Sequence, residues 1–142
     1  MKKIGIIAVL AIIAFTVGAC KTADDGDAAY KKVYDRYFGD LILTGAETYT
    51  VVSGDTLSKI SADKYNNGLY YPVILMASKE TIVDVDKIKP GMKLTIPVLK
   101  TNLDDVKARS SIKKCLKDVS KIEKDRKRSD TASKMLDLSN SL

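Results

Sequence analysis

Thr48–Ile60 reads TYTVVSGDTLSKI, and this stretch decides the fold. Tyr49–Val52 combines an aromatic residue with β-branched residues, which predicts a strand. Ser53–Asp55 then supplies turn residues. The side-chain oxygen of Ser53 or of Asp55 can cap the first turn of a helix that follows. Leu57 and Ile60 follow at helical spacing, so the strand is predicted to lead through a capped turn into a short amphipathic helix.

The next forty residues predict a second helix and a second strand. Asn66–Gly68 tolerates the positive φ that ends a helix, and Pro72 suits the first turn of another. Val73–Ala77 is apolar throughout, which predicts a buried helix. Met92–Ile96 alternates apolar and polar residues and is stopped by Pro97. The order strand, helix, helix, strand predicts an α+β unit with a two-stranded antiparallel sheet covered by both helices.

The N-terminus has the architecture of an export signal. Met1–Lys3 is basic, and Ile4–Phe15 is an apolar run of the length of a signal-peptide core. Val17–Cys20 reads VGAC and resembles a bacterial lipobox, in which the cysteine is lipidated and becomes the first mature residue. We therefore predict a lipoprotein signal peptide over residues 1–19 and a lipid on Cys20. An ordinary signal peptide and an uncleaved anchor are the alternatives.

Two segments separate the lipidation site from the α+β unit. Residues 20–27 are small, polar and acidic, which predicts a flexible tether. Residues 28–45 are predicted to form an amphipathic aromatic helix that docks on the core. Its stripe consists of Tyr30, Val33, Tyr34, Tyr37 and Phe38.

Residues 101–142 are predicted to form a basic amphipathic helical tail. From Lys100 onward the chain has twelve basic and seven acidic residues, an excess of five that nearly accounts for the +6 of the whole chain. Asn102 followed by acidic residues indicates a helix start, and Ser129 after the basic stretch Lys124–Arg128 indicates another. A solvated face is the ordinary explanation of the charge, and contact with an anionic lipid or envelope polymer is the functional one.

The inventory of reactive residues argues against an enzyme. The chain has no histidine, so zinc hydrolase chemistry and imidazole-assisted thiol catalysis lack their groups. With Cys20 acylated, Cys115 has no cysteine left to pair with and is interpreted as a small apolar residue on a helix face. No cofactor or metal site is predicted, and export excludes nucleic acid as a partner.

The two ends of the α+β unit resemble the LysM family. "YTVVSGDTLSKIS" at the start and "KIKPGMKLTIP" at the end carry the resemblance, which extends over nearly all of Tyr49–Pro97. The spacing resembles the longer variant present in bacterial potassium-binding proteins, and the whole arrangement resembles lipoproteins of spirochaetes such as Treponema. The predicted domain spans residues 48–98.

The resemblance implies a βααβ fold and non-catalytic binding of glycans that contain N-acetylglucosamine, chiefly peptidoglycan. By position, the loop after the first strand implicates Gly54, Asp55, Thr56 and Leu57. The loop before the second strand implicates Ile82, Val83 and Asp84. The alternative is that the segment Ser53–Thr56 is only a turn and a helix cap.

We therefore expect an exported, lipid-anchored envelope protein that binds peptidoglycan, at the periplasmic face of either membrane or on the surface. The alternative is an assembly lipoprotein that uses the LysM fold as a scaffold and docks an envelope protein partner with its helical tail. Potassium sensing is a third interpretation.

Overall fold

The computed structural model describes residues 24–82, 85–86 and 88–142. The predicted signal peptide, Cys20 and the first part of the predicted tether lie outside the described residues, as do Val83 and Asp84. The elements, in chain order, are α1 (Asp24–Tyr37), a 3-10 helix (Phe38–Asp40), β1 (Glu47–Thr50), α2 (Leu57–Tyr65), a second 3-10 helix (Gly68–Tyr70), α3 (Tyr71–Ala77), β2 (Lys93–Ile96), α4 (Leu99–Asp104), α5 (Val106–Asp125) and α6 (Ser129–Ser141).

The strands β1 and β2 pair antiparallel, with Glu47 opposite Ile96. Backbone hydrogen bonds continue past the ladder, because Val51 N donates to Met92 O at 2.9 Å and Gly91 N donates to Val51 O at 2.8 Å. Leu94 and Ile96 of β2 are buried, as the alternation of apolar and polar residues predicts. The α+β class and the two-stranded antiparallel sheet predicted from the sequence are confirmed.

The helices α2 and α3 follow their sequence signals closely. Asn66 ends α2 in the left-handed conformation with φ +55°, and Pro72 lies in the first turn of α3. Val73–Met76 is at most 1% exposed, so α3 is the buried helix that its apolar sequence predicts.

Helix α1 differs from the prediction at both ends. It begins at Asp24, inside the segment for which a flexible tether was predicted. It ends at Tyr37 rather than near residue 45, and a short 3-10 helix containing Gly39 follows. Four residues of the predicted stripe, Tyr30, Val33, Tyr34 and Tyr37, pack into the core. The fifth, Phe38, lies in the 3-10 helix and is only partly buried.

The C-terminal tail contains three helices and begins differently from the prediction. Asn102 does not cap a helix; it lies buried within α4, where its side chain bonds to the backbone of Ile42. The cap of α5 is Asp105, whose Oδ1 accepts from Ala108 N at 2.8 Å. Val106, the first residue of α5, is 72% exposed.

One hydrophobic core joins the α+β unit to both flanking regions. The buried faces of α1 and α5 pack on each other and on α3, and α6 packs along α5. A unit of about fifty residues buries too little surface to be robust alone, so these flanking helices complete its core. Within the part of the chain that the structure describes, no helix is long and apolar enough to cross a membrane.

Candidate functional site

The turn after β1 is held by the side chain of Asp55. Its Oδ2 accepts from Val52 N and from the Tyr49 hydroxyl, both at 2.9 Å. Gly54 has φ +88°, a conformation that residues with a side chain rarely adopt. The bond from Asp55 N to Val52 O at 3.3 Å closes the turn. Asp55 therefore fixes the path of the backbone from the strand into the helix.

The start of α2 is capped by Thr56. Its Oγ1 accepts from Lys59 N at 3.2 Å, and its extended backbone is that of an N-cap residue. The Lys59 Nζ reaches back to Gly54 O at 3.0 Å. The sequence named Ser53 or Asp55 as the cap; the structure gives this role to Thr56, because Asp55 is already bonded within the turn.

This turn forms one wall of a cleft of about 230 Å³. The second wall is the loop before β2. The third wall is the end of α5 with Glu123, the connection with Arg128, and the first turn of α6 with Thr131. The buried Tyr71 of α3 lies between the walls. The residues that line the cleft are Asp55, Thr56, Leu57, Ser58, Tyr71, Val85, Asp86, Ile88, Glu123, Arg128 and Thr131.

The cleft contains some of the predicted glycan-binding residues but not all of them. Asp55, Thr56 and Leu57 line it, whereas Gly54 and Ile82 do not. Ile82 is only 7% exposed and belongs to the hydrophobic core. Val83 and Asp84, the other two predicted residues, lie outside the described residues. The part of the second wall that the structure describes consists of Val85, Asp86 and Ile88.

The third wall was not predicted from the sequence. Glu123 is 1% exposed, and its Oε1 accepts hydrogen bonds from the hydroxyls of Tyr30 and Tyr71, the latter at 2.6 Å. Its Oε2 accepts from Arg128 Nη1 at 3.4 Å. The sequence did indicate that Glu123 is buried, because it lies four residues after the apolar Val119 and therefore on the same face of α5.

Two arginines join this wall to the loop before β2. Arg128 Nη2 and Arg126 Nη1 each donate to Asp86 Oδ2 at 2.8 Å. Arg126 also reaches Asp27 of α1 at 3.4 Å and lies over the ring of Tyr30, 4.7 Å from its centroid. Arg126 and Arg128 of the basic stretch, for which a solvated face was the ordinary explanation, thus form ion pairs with α1, with α5 and with the loop before β2.

The network changes the acidity of its members. Burial, followed by the hydrogen bond to Glu123, raises the pKa of Tyr30 above its ordinary value. Burial also raises the pKa of Tyr71. The hydrogen bond to Asp86 raises the pKa of Arg128, so this guanidinium keeps its charge at any physiological pH. Both tyrosines therefore remain hydrogen-bond donors to Glu123.

The cleft offers hydrogen-bonding groups of both kinds beside apolar surface. Carboxyl groups accept from sugar hydroxyls, and the guanidinium of Arg128 donates to hydroxyl or acetyl oxygens. Leu57, Val85 and Ile88 supply apolar surface of the kind that packs on a sugar face or an acetyl methyl. Among the described residues, no group of three or more Cys, Asp or Glu side chains is placed to hold a metal ion.

The remaining cysteine is part of the core. Cys115 is a free thiol in α5 with no exposed surface, and burial raises its pKa above the ordinary value. Both observations agree with its interpretation as a small apolar residue.

Comparison with known proteins identifies the segment that builds two of the three walls. Residues 49–97 match the family model of the LysM domain, so the chain contains a LysM domain. Over 54 residues the chain is 48% identical to the potassium binding protein Kbp of Escherichia coli O6:H1, strain CFT073. That alignment covers 38% of this chain and 36% of the relative, so the chain matches about a third of the relative's length. No solved structure matches the chain.

Proposed function

We propose that this protein is a lipid-anchored component of a bacterial cell envelope that binds peptidoglycan without catalysing a reaction on it. The observation that carries the proposal is the LysM match over residues 49–97, because this segment contains both the capped turn and the loop that face each other across the cleft. A LysM domain supports a glycan-binding role, with N-acetylglucosamine polymers as the ligand class.

The N-terminal sequence supports the anchoring part of the proposal. A basic start, an apolar run and VGAC at Val17–Cys20 are the features of a lipoprotein signal. A multiply acylated cysteine is a stable membrane anchor, so a glycan-binding domain attached to it would link the membrane to the cell wall. Metabolic labelling with a fatty-acid analogue tests this part: label is expected on the native protein and absent from Cys20→Ser.

Co-sedimentation with purified peptidoglycan tests the glycan-binding part. The full chain, kept soluble in a mild detergent, is mixed with peptidoglycan over a series of sodium chloride concentrations. Uncharged contacts in a cleft persist at high salt, whereas attraction of the basic tail to an anionic polymer is screened. Binding that persists at high salt is expected, and binding that disappears there would overturn the proposal.

The choice of variant matters, because Asp55 and Thr56 hold the turn and the cap. Replacing either would disturb the fold along with the cleft. Ser58 is exposed and lines the cleft, so Ser58→Trp fills the cleft without removing a hydrogen bond described for the turn. Ala62→Trp, at another exposed position of α2 that does not line the cleft, is the matched control. Only Ser58→Trp is expected to release the protein from peptidoglycan.

A protein-assembly role is the second candidate, favoured by a groove between α5 and α6. This groove has a volume of about 390 Å³, is bordered by Lys117, Lys121 and Lys124, and includes the partly exposed Leu136. Leu136→Asp should release an envelope partner while leaving sedimentation with peptidoglycan intact. Retention of every partner by this variant would exclude the groove as their docking surface.

Potassium binding is the third candidate, favoured by the name of the Escherichia coli relative. A ligand that binds only the folded state raises its apparent stability by mass action. The test compares thermal unfolding in potassium chloride with unfolding in sodium chloride at equal ionic strength. A potassium-specific rise in Tm would support this candidate, and equal Tm values would reject it.

A further inference from the structure

We propose that the connection between α5 and α6 is part of the glycan-binding site, and that Arg128 and Thr131 contact the bound sugar. This inference rests on the proposed glycan binding. It adds to the two loops of the LysM domain a third wall that lies outside the segment matched by the family model.

Arg128 is placed to serve both the fold and a ligand. It bonds to Asp86 in the second wall at 2.8 Å and to the buried Glu123 at 3.4 Å, yet its side chain remains 42% exposed. A guanidinium carries five N–H donors, more than these two bonds require. Arg128 therefore has donor capacity at the surface of the cleft while its position is held by the two carboxyl groups.

The backbone around Arg128 is fixed as well. Arg128 N donates to Glu123 O and Lys127 N donates to Lys124 O, both at 2.9 Å, and Lys127 adopts φ +63°. This tight connection places Thr131 in the first turn of α6, where it is half-buried and lines the cleft. A wall whose position is set before the ligand arrives loses little conformational entropy on binding.

The size and charge of the cleft indicate the kind of unit that it accepts. Its volume of about 230 Å³ is below the ~300–1,000 Å³ of sites for drug-sized ligands, so it suits a single sugar unit of a longer glycan. Asp55, Asp86 and Glu123 contribute carboxyl groups, and Arg128 is the guanidinium among the lining residues. This excess of negative charge favours an uncharged N-acetylhexosamine over a sugar with a free carboxylate, which the carboxyl groups would repel. Asp55 and Asp86 are the carboxyl groups that can accept from sugar hydroxyls, because Glu123 is only 1% exposed.

The first test fills the cleft from the side of the third wall and changes no residue of the LysM segment. Thr131→Trp places a large side chain in the cleft, and Ser133→Trp places it at an exposed position of α6 that does not line the cleft. The dissociation constant for a soluble N-acetylglucosamine oligosaccharide is measured on the full chain in detergent. Thr131→Trp is expected to raise this constant at least about tenfold, and Ser133→Trp is expected to leave it unchanged.

The second test removes the guanidinium. Arg128→Ala is expected to weaken binding of the same oligosaccharide about tenfold, whereas Arg109→Ala makes the same change of charge away from the cleft and is expected to have no effect. Thermal unfolding of each variant shows whether weaker binding comes from a lost contact with the sugar or from a loss of the folded state. If Arg128→Ala does not fold, the result for Thr131→Trp tests the proposal.

The outcomes separate this inference from the function on which it rests. If the native chain does not bind the oligosaccharide, the proposed function fails. If the native chain binds and Ser58→Trp abolishes binding, but Thr131→Trp binds as tightly as the native chain, the two-loop cleft stands and the third wall is overturned.

Discussion

Among single residues, the buried tyrosines differ in what their hydroxyls contact. The hydroxyls of Tyr30 and Tyr71 donate to Glu123. The hydroxyl of Tyr34 is buried and has no hydrogen-bond partner among the described residues. A buried polar group without a partner is destabilising, and one that bonds to a carboxyl group is stabilising. Three tyrosines of one cluster therefore make opposite contributions to stability.

This difference predicts opposite effects of removing a single oxygen atom. Tyr71→Phe should lower the free energy of unfolding by about 1–3 kcal/mol, because it removes a donor from Glu123. Tyr34→Phe should leave it unchanged or raise it by up to about 1 kcal/mol. Urea denaturation of the two variants measures both. An equal loss in Tyr34→Phe would show that its hydroxyl has a buried partner, such as a water molecule.

At the scale of elements, Asn102 joins the segment before β1 to the start of the tail. Its Oδ1 accepts from Ile42 N at 2.8 Å, and its Nδ2 donates to Ile42 O at 2.9 Å and to Val98 O at 3.0 Å. All three bonds are made by one fully buried side chain. The backbone segments that flank the LysM segment on its two sides are thereby held to each other.

Asn102→Asp should therefore be strongly destabilising. The substitution replaces the amide NH₂ with a second carboxylate oxygen that faces two carbonyl oxygens, and we expect a loss of about 2–4 kcal/mol. Asn140→Asp, at an exposed position of α6, introduces the same charge and should have little effect. Urea midpoints that shift equally in both variants would contradict the role given to Asn102.

The elements that the sequence predicted are those with local signals. The turn at Gly54, the left-handed end of α2 at Asn66 and the first turn of α3 at Pro72 depend on backbone conformation, which a few neighbouring residues determine. The role of Asn102 depends on Ile42, which lies 60 residues away in the chain. The role of Glu123 depends on Tyr30, which lies 93 residues away. Spacing along the chain cannot identify such partners.

The same distinction applies to the candidate site. Asp55, Thr56 and Leu57, which run from the turn into α2, were predicted because they are adjacent in sequence, and they line the cleft. Ile82 was placed in the site by analogy of position, but its side chain packs into the core. Arg128 and Thr131 were not predicted, because only the packing of α5 against α3 and α1 brings them to the cleft.

For the whole molecule, all seven tyrosines have a raised pKa, with burial the largest cause for most of them. In the unfolded chain a tyrosine ionises near pH 10. A folded-state pKa above that value means that the folded protein retains protons which the unfolded chain releases. The stability that depends on these tyrosines is therefore fully present below about pH 10 and is lost as the pH rises further.

Alkaline unfolding should consequently coincide with tyrosine ionisation. We expect the ultraviolet absorbance of tyrosinate to rise in one step with loss of helical circular dichroism, above about pH 10. Tyr71→Phe should reduce the slope of unfolding free energy against pH in that range by up to about 1.4 kcal/mol per pH unit, the value for one proton. Ionisation of most tyrosines before any loss of structure would contradict the prediction.

The shared core also predicts that the LysM segment and the tail unfold together. Cys115 lies on the buried face of α5, in the same core as α1 and α3. Its thiol can react only when that core opens, so its rate of modification reports the population of open molecules. In a Cys20→Ser background, the free energy of opening obtained from thiol modification should equal the free energy of global unfolding in urea.

Glu123→Ala removes the acceptor shared by α1 and α3 and should lower both values by the same amount, about 2–4 kcal/mol. Asp125→Ala changes the same charge at an exposed position of α5 and should change neither. A thiol that reacts much faster than global unfolding allows would mean that the tail detaches while the LysM segment stays folded, and the third wall of the cleft would then be only intermittently in place.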